Sequence, residues 1–328
     1  MTTSGQSSPS VCQPSLAPLV SVIVPIYNSR AFLPETMASV FAQDLQDFEI
    51  LLVDDGSTDG SAELAEAYAA QHPGRVHYLQ HEEHANKGAS ASRNLGIAHA
   101  RGEFLALLDA DDVWRPAKLR EQLAIMRDHP DVGMVTGSAN YWQSWAGGPD
   151  WVVQTGDVRN TPRHPPHTAL ALYPLGRAHA PCPSEIMLRR DLVQKIGFSE
   201  DRFRGIYGLY EDQTFLAKIY LAAPVYFSDR VWIDYRQHPQ SIMATVLQDG
   251  RYDEVRQFYL SWYRDYLKSL PSPPPAEIIR ALDRAERPYR FPRLYKLARK
   301  ANGAVRRCRD GLRAYVRSLR TRTRSLPR

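Results

Sequence analysis

Three carboxylates end an apolar run in Gly102-Glu103-Phe104-Leu105-Ala106-Leu107-Leu108-Asp109-Ala110-Asp111-Asp112-Val113-Trp114. A buried strand, Phe104 to Leu108, has little use for charge, so the acids fall past its C-terminal end, where open α/β sheets bind ligands. Asp109 and Asp111 flank one small residue, and in extended chain both side chains turn to the same side. Paired oxygen donors of this kind suit a hard divalent cation such as Mg²⁺ or Mn²⁺, which in turn holds phosphate oxygens. The competing assignment is a helix N-cap and its neighbours, because a helical pattern begins at Pro116. Asp112 is assigned to that capping role in either case. A second apolar run, Phe48 to Val53, also ends in acids: Asp54-Asp55-Gly56-Ser57-Thr58-Asp59-Gly60.

The elements around these runs must place the acids together. Leu19 to Pro25 is β-branched and almost wholly apolar, as a central parallel strand should be. Phe32 to Phe41 and Ser61 to Gln71 read as helices, Val76 to Gln80 as a strand, and Ala89 to Ala100 as a helix leading into the Phe104 strand. This βαβαβαβ order predicts an α/β fold with a mostly parallel sheet covered by helices on both faces, and it sets Asp54-Asp55 and Asp109-Asp111 on one rim. Pro116 to His129 is a further helix and Val132 to Thr136 a further strand. From Tyr141 to Pro166 no periodicity survives. Trp142, Trp145 and Trp151 lie there among glycines and prolines, in a long excursion that either stacks its tryptophans on a sugar ring or packs them on the body. Ser184 to Leu188 is expected as a strand, Arg190 to Ile196 as a helix closed by Gly197, and Tyr210 to about Leu221 as a helix. Val225 to Phe227 and Val231 to Tyr235 read as two strands, and Arg251 to Leu270 as a Tyr-rich helix before the Ser272–Pro275 linker.

Length and composition bound the possibilities. A chain of 328 residues holds one large or two modest domains. Cys12, Cys182 and Cys308 are far apart, which argues against a disulfide framework or a zinc site and fits a reducing, cytoplasmic compartment. No run of about 18 apolar residues exists, so no transmembrane helix is expected. The net charge of +5 hides an asymmetry. From Arg290 to Arg328 there are fourteen Lys or Arg and one acid, Asp310, an excess of +13 that leaves −8 for the remainder. A dinucleotide-binding oxidoreductase would need a G-x-G-x-x-G turn after a strand, which is absent.

Five segments in order carry a resemblance: Val20-Ser21-Val22-Ile23-Val24-Pro25-Ile26-Tyr27-Asn28, then Val53 to Ser61, then Asn86 to Asn94, then Leu108 to Asp112, then Glu211-Asp212. Together they resemble the family 2 glycosyltransferases of the GT-A fold, over about Leu19 to Ala244. The resemblance implies inverting transfer of a sugar from a nucleotide-diphosphate donor, with UDP favoured, to a hydroxyl of a glycan or lipid-linked acceptor, with Mg²⁺ or Mn²⁺ as cofactor. It implies that Pro25 and Tyr27 shape the nucleotide pocket and that Asp54 or Asp55 reads the base edge. Lys87, Gly88 and Arg93 would lie beside the nucleotide, where positive charge suits phosphate. Asp109 would face ribose and metal, Asp111 would ligate the metal, and Asp212 would be the catalytic base. Tyr235-Arg236-Gln237-His238 resembles a segment that closes over the diphosphate. It offers His238 as a third metal ligand, against the plain alternative of a surface histidine. The Q-x-x-R-W of processive synthases is missing, which implies one sugar per encounter. A sugar nucleotidyltransferase would carry a Gly-rich, Arg-bearing loop where Pro25-Ile26-Tyr27-Asn28 stands.

The chain divides into a disordered lead-in (1–18), a GT-A domain (19–250) and a C-terminal helical, basic extension (251–328). In the last, Leu294, Leu297, Ala301, Val305, Cys308, Leu312, Tyr315 and Leu319 form an apolar stripe with arginines largely off it. Such a helix either lies peripherally on an anionic membrane surface, here the inner face, or packs on the acidic body. Nucleic acid is not an expected partner, since the tail lacks aromatic interleaving. The rival from another class is a non-catalytic nucleotide-sugar-binding or scaffolding protein on the same fold.

Overall fold

A computed structural model describes residues 17–198, 200–239 and 241–292. The predicted tail stripe and most of the lead-in lie outside these residues. The strands are β1 (Val20–Ile26), β2 (Phe48–Asp54), β3 (Val76–Gln80), β4 (Phe104–Leu107), β5 (Val113–Trp114), β6 (Met134–Trp142), β7 (Trp151–Val153), β8 (Thr161–Arg163), β9 (Met187–Arg189) and β10 (Val225–Arg236). The helices are α1 (Leu33–Phe41), α2 (Ser61–Gln71), α3 (Ala89–His99), α4 (Lys118–Asp128), α5 (His167–Ala171), α6 (Arg190–Ile196), α7 (Glu211–Ala222), α8 (Ile242–Gln248), α9 (Tyr252–Ser269) and α10 (Ala276–Arg290).

The strands form one sheet in the order β3-β2-β1-β4-β9-β6-β10-β5, with β7 added to β6 and β8 to β10. Strands β3, β2, β1 and β4 are parallel, with Ile26 opposite Asp54 and Ile23 opposite Leu107. Apolar side chains on both faces of β1 explain its unbroken hydrophobic run. Val22 and Val24 pack with Met37 and Val40 of α1 on one face, and Ile23 packs with the helices of the other. Burial on both faces is what the βαβ pattern predicts. The same second core takes in Tyr259, Leu260 and Trp262 of α9 and Ile278 and Leu282 of α10.

The strand order breaks the simple parallel scheme at β9, which runs antiparallel to both β4 and β6. Its entry is a 3-10 turn, Pro183–Glu185, so the expected strand from Ser184 begins three residues late. Strand β6 continues from Met134 to Trp142, well past the expected end at Thr136. Its buried Ser138 and Asn140 disguise it as polar chain. The two strands expected between Val225 and Tyr235 are one, interrupted by register shifts against β6. The irregular excursion contains β7 and β8, each three residues long and each on an edge, where Pro162 is tolerated.

Candidate active site

Parallel β2 and β4 deliver their acids to the same rim. Asp54 ends β2 fully buried. Its Oδ2 accepts from the N–H groups of Gly56 and Ser57, at 3.1 and 3.2 Å, and contacts His84 Nε2 at 2.6 Å. Its Oδ1 is buried without a hydrogen-bond partner. Asp55 reaches the other way: its carboxylate accepts from the N–H groups of Lys87 (2.7 Å) and Gly88 (2.9 Å to Oδ2). The two acids thereby clamp the loop before α3 against the turn after β2. Gly56 permits this approach, since a Cβ there would stand 2.7 Å from the His84 carbonyl oxygen. Tyr27 is 54% exposed at the lip beside Pro25, and Asn28 Oδ1 accepts from the Thr58 N–H at 2.8 Å. The Lys87 ammonium has no partner among the described residues.

The loop after β4 is held from three directions. The Ser184 hydroxyl accepts from the Asp109 N–H at 3.0 Å and donates to Asp112 Oδ2 at 2.5 Å. Asp112 Oδ1 accepts from the Arg236 N–H at 2.9 Å, and Arg236 Nε donates to the Asp111 carbonyl at 2.7 Å. Asp112 is therefore a buried tie between the loop, the β9 entry and the end of β10. The expected helix cap is overturned, because α4 starts only at Lys118 and no side chain caps it. Burial, with Asp111 and Asp109 adjacent, raises the Asp112 carboxyl well above the usual range. Trp142 and Trp145 lie with Phe32 around the Arg236 guanidinium, with centroids 4.3, 5.0 and 5.0 Å away. Two of the three tryptophans thus pack the excursion onto the body. Trp151 leans on Tyr141 and stays 43% exposed.

Asp111 and His238, separated by 127 positions, meet at 2.9 Å. The imidazole lies against the Phe32 ring, and its Nδ1 is buried without a partner. No cluster of three or more Asp, Glu, His or Cys side chains with metal-binding geometry occurs among the described residues. That donor set still fits Mg²⁺ or Mn²⁺. Such ions are commonly held by one or two protein side chains and complete their shell with water and substrate phosphates. Half-exposed Asp111, with His238 beside it, supplies that minimum.

Arg93 of α3 links the two acidic motifs. Buried, it bridges Asp109 Oδ1 and Glu211 Oε1, and the Ser90 hydroxyl donates to Glu211 Oε2 at 2.8 Å. Burial raises Asp109 above the usual carboxylate range against the pull of Arg93, and Asp111 adds to the rise. The guanidinium is committed to these two carboxylates. Arg93→Met leaves both charges uncompensated, and its expected cost is about 3–5 kcal/mol of stability. Urea unfolding of variant and wild type measures it. Beside this bridge, in the first turn of α7, Asp212 accepts from the Gln213 N–H at 2.7 Å. Burial, then the neighbouring Glu211, pushes its carboxyl up to about 7. Asp109, Arg93, Glu211 and Asp212 line one cleft of about 380 Å³, closed on its other sides by the excursion and α8.

Asp109 of the strand-end loop and the acidic start of α7 thus meet across one cleft. Residues 21–197 match the family model described as Glycosyl transferase family 2. The chain belongs to that family. It is a glycosyltransferase. It is 29% identical over 263 residues to glycosyltransferase GlyG of Streptococcus pneumoniae serotype 4 (strain ATCC BAA-334 / TIGR4), covering 77% of this chain and 78% of that one. It is 39% identical over 120 residues to the putative teichuronic acid biosynthesis glycosyltransferase TuaG of Bacillus subtilis (strain 168), covering 37% and 46%. S. aureus TarS in complex with UDP-GlcNAc superposes with a TM-score of 0.62 at 23% identity, over 83% of this chain and 73% of that one. The mannosyltransferase PcManGT from Pyrobaculum calidifontis, in complex with GDP-Man and Mn²⁺, gives 0.54 at 18% identity over 92% and 84%. These likenesses establish the GT-A fold for this family 2 chain. No helix among its described residues is long and apolar enough to cross a membrane.

Sequence reasoning missed Ser184, Glu185, Glu35 and the cage around Arg236. Glu35 accepts from Arg236 at 2.6 Å across 201 positions, and no local pattern announces such a pair.

Proposed function

We propose that this glycosyltransferase moves a single sugar, with inversion at the anomeric carbon, from a nucleotide-diphosphate sugar to a hydroxyl of a glycan or lipid-linked acceptor in polysaccharide or glycoconjugate synthesis. The observation that carries this reading is the shared cleft. Asp109 of the D-x-D loop and Asp212, with its carboxyl near neutrality, face one cavity large enough for a sugar. Pro25, Tyr27 and the Asp54-Asp55 turn form the nucleotide side in this reading. Lys87 and the Gly88 loop face the diphosphate, and Asp109, Asp111 and His238 hold Mg²⁺ or Mn²⁺. When bound, the cation neutralises charge developing on the departing nucleotide diphosphate. Arg93 serves by holding Asp109 and Glu211 in place rather than by reaching the phosphates. Asp212 takes the proton of the acceptor hydroxyl as that oxygen attacks the anomeric carbon, opposite the leaving diphosphate. A UDP donor is favoured because TarS is seen with UDP-GlcNAc, and the GDP-Man of PcManGT keeps guanosine as the second arm of the test.

A panel of UDP-, GDP- and dTDP-sugars with Mn²⁺, read as slow nucleotide diphosphate release, tests the reading. One donor is expected to turn over, and release from none defeats catalysis in favour of a binding or scaffolding role. The pH profile adds a sign. Asp212 works ionised and its carboxyl lies near 7, so kcat/KM rises about tenfold per unit below that value and levels above it. A profile flat from pH 5 to 8 removes Asp212 as the base.

A further inference from the structure

Glu185 is a fourth carboxyl in the cleft, beside Asp109, Glu211 and Asp212, and neither the proposed metal loop nor the proposed base uses it. It ends the Pro183–Glu185 turn and is almost fully buried. Its Oε2 accepts from two buried hydroxyls, Thr136 Oγ1 at 3.1 Å on β6 and Thr155 Oγ1 at 3.0 Å after β7. Its carbonyl accepts from Gln122 Nε2 at 2.6 Å. The side chain is therefore fixed from two separate elements and its backbone from a third, α4. No side chain among the described residues pairs with its Oε1, the Cys182 backbone N–H gives the carboxyl one further bond, and Glu185 lies on the cleft wall with Thr155.

No cation forms an ion pair with it among the described residues: Lys118, whose charge opposes the rise only in part, donates its Nζ to Gln122 Oε1 at 2.7 Å and sits over the Trp114 ring. Burial pushes the Glu185 carboxyl up to about 8, so it is largely a neutral acid at pH 7, able to donate as well as accept. A carboxyl anchored by two threonines on the wall of a cleft is placed to read a ligand's hydrogen-bonding group.

The ligand it meets follows from its neighbour. Ser184 bonds both the Asp109 N–H and Asp112, so the Glu185 turn is fastened to the D-x-D loop itself. In the donor reading above, on which this inference rests, the transferred sugar lies between that loop and Asp212. We propose that Glu185 hydrogen-bonds a hydroxyl of the transferred sugar and so determines which sugar is accepted. A site built to pair a substrate hydroxyl discriminates strongly against a sugar lacking it, because the buried partner is left unpaired.

The test separates sugar from nucleotide. Full-length wild type, Glu185→Met and Glu185→Gln are titrated with Mn²⁺ present, against the nucleotide diphosphate that wild type binds and against the corresponding donor sugars. Glu185→Met keeps the volume and removes both oxygens. It is expected to weaken the preferred nucleotide-sugar by about tenfold or more while changing affinity for the bare nucleotide by less than about twofold. Glu185→Gln keeps a carbonyl for the threonines and an amide for the sugar, and is expected to stay within about threefold of wild type for both ligands. Equal weakening of sugar and nucleotide, or no weakening of either, overturns the role. If Glu185→Met does not fold, Thr155→Val removes one anchor instead, and the same sugar-selective loss, smaller in size, is required. Failure of wild type to bind any nucleotide diphosphate is a different result, and it defeats the donor reading itself.

Discussion

Asp212→Asn is expected to lower sugar transfer by about two to four orders of magnitude, roughly the worth of a general base. The amide matches the carboxyl in shape and can still accept from the Gln213 N–H that orients it at 2.7 Å. What it loses is the capacity to take a proton. Replacing a carboxyl that burial already holds near neutrality places no new charge in the cleft, so the fold and donor affinity are expected to hold. Measured turnover with unchanged donor Kd checks the division. Transfer within about threefold of wild type removes Asp212 from the chemistry. Product NMR reads the same mechanism from the other side: a base facing the leaving group gives an inverted anomeric centre, and a retained one contradicts it.

Asp111→Ala carries the other large effect. Asp111 is partly exposed and, among the described residues, its side chain pairs only with His238, so truncation costs the fold little. In the donor reading proposed above the loss falls on cation binding, since a bound cation would supply several kcal/mol of charge stabilisation to a departing diphosphate. Turnover is expected to fall by about three orders of magnitude or more, and chelation of wild-type protein to do the same. Mg²⁺ or Mn²⁺ restores wild-type activity, whereas Zn²⁺ does so poorly at a site with no thiolate. Full activity in excess EDTA contradicts the assignment. Mn²⁺ affinity followed by electron spin resonance gives a readout independent of turnover, and Asp111→Ala must weaken it.

The buried Arg93 bridge gives the acidic motifs a common foundation. Asp109 follows β4 and Glu211 opens α7, and one guanidinium from α3 fixes both. The start of α7 is thereby tied to the D-x-D loop, which holds Asp212, the proposed base beside Glu211, in fixed relation to Asp109. The Asp112–Ser184–Arg236 tie secures the other side of that loop, and it positions His238 two residues beyond Arg236.

The parallel half of the sheet and the rim where its acids gather are legible in the residues alone. Buried strands such as β1, β2 and β4 announce themselves as short apolar runs, and a charge at the end of such a run is a local signal. Helices α2 and α6 were legible within their own periodicity. The rest of the site depends on contacts that exist only once the chain is folded. The antiparallel insertion of β9, and the edge strands β7 and β8, are three residues long, too short for any period to show. The Asp111–His238, Arg93–Glu211 and Glu185–Thr155 pairs join residues 127, 118 and 30 positions apart. Their partners are chosen by which strand ends and helix starts the sheet order brings together. Ionisation was decided there as well. Asp112, Glu185 and Asp212 are ordinary carboxylates as letters, and burial in the folded chain is what raises all three above the usual carboxylate range.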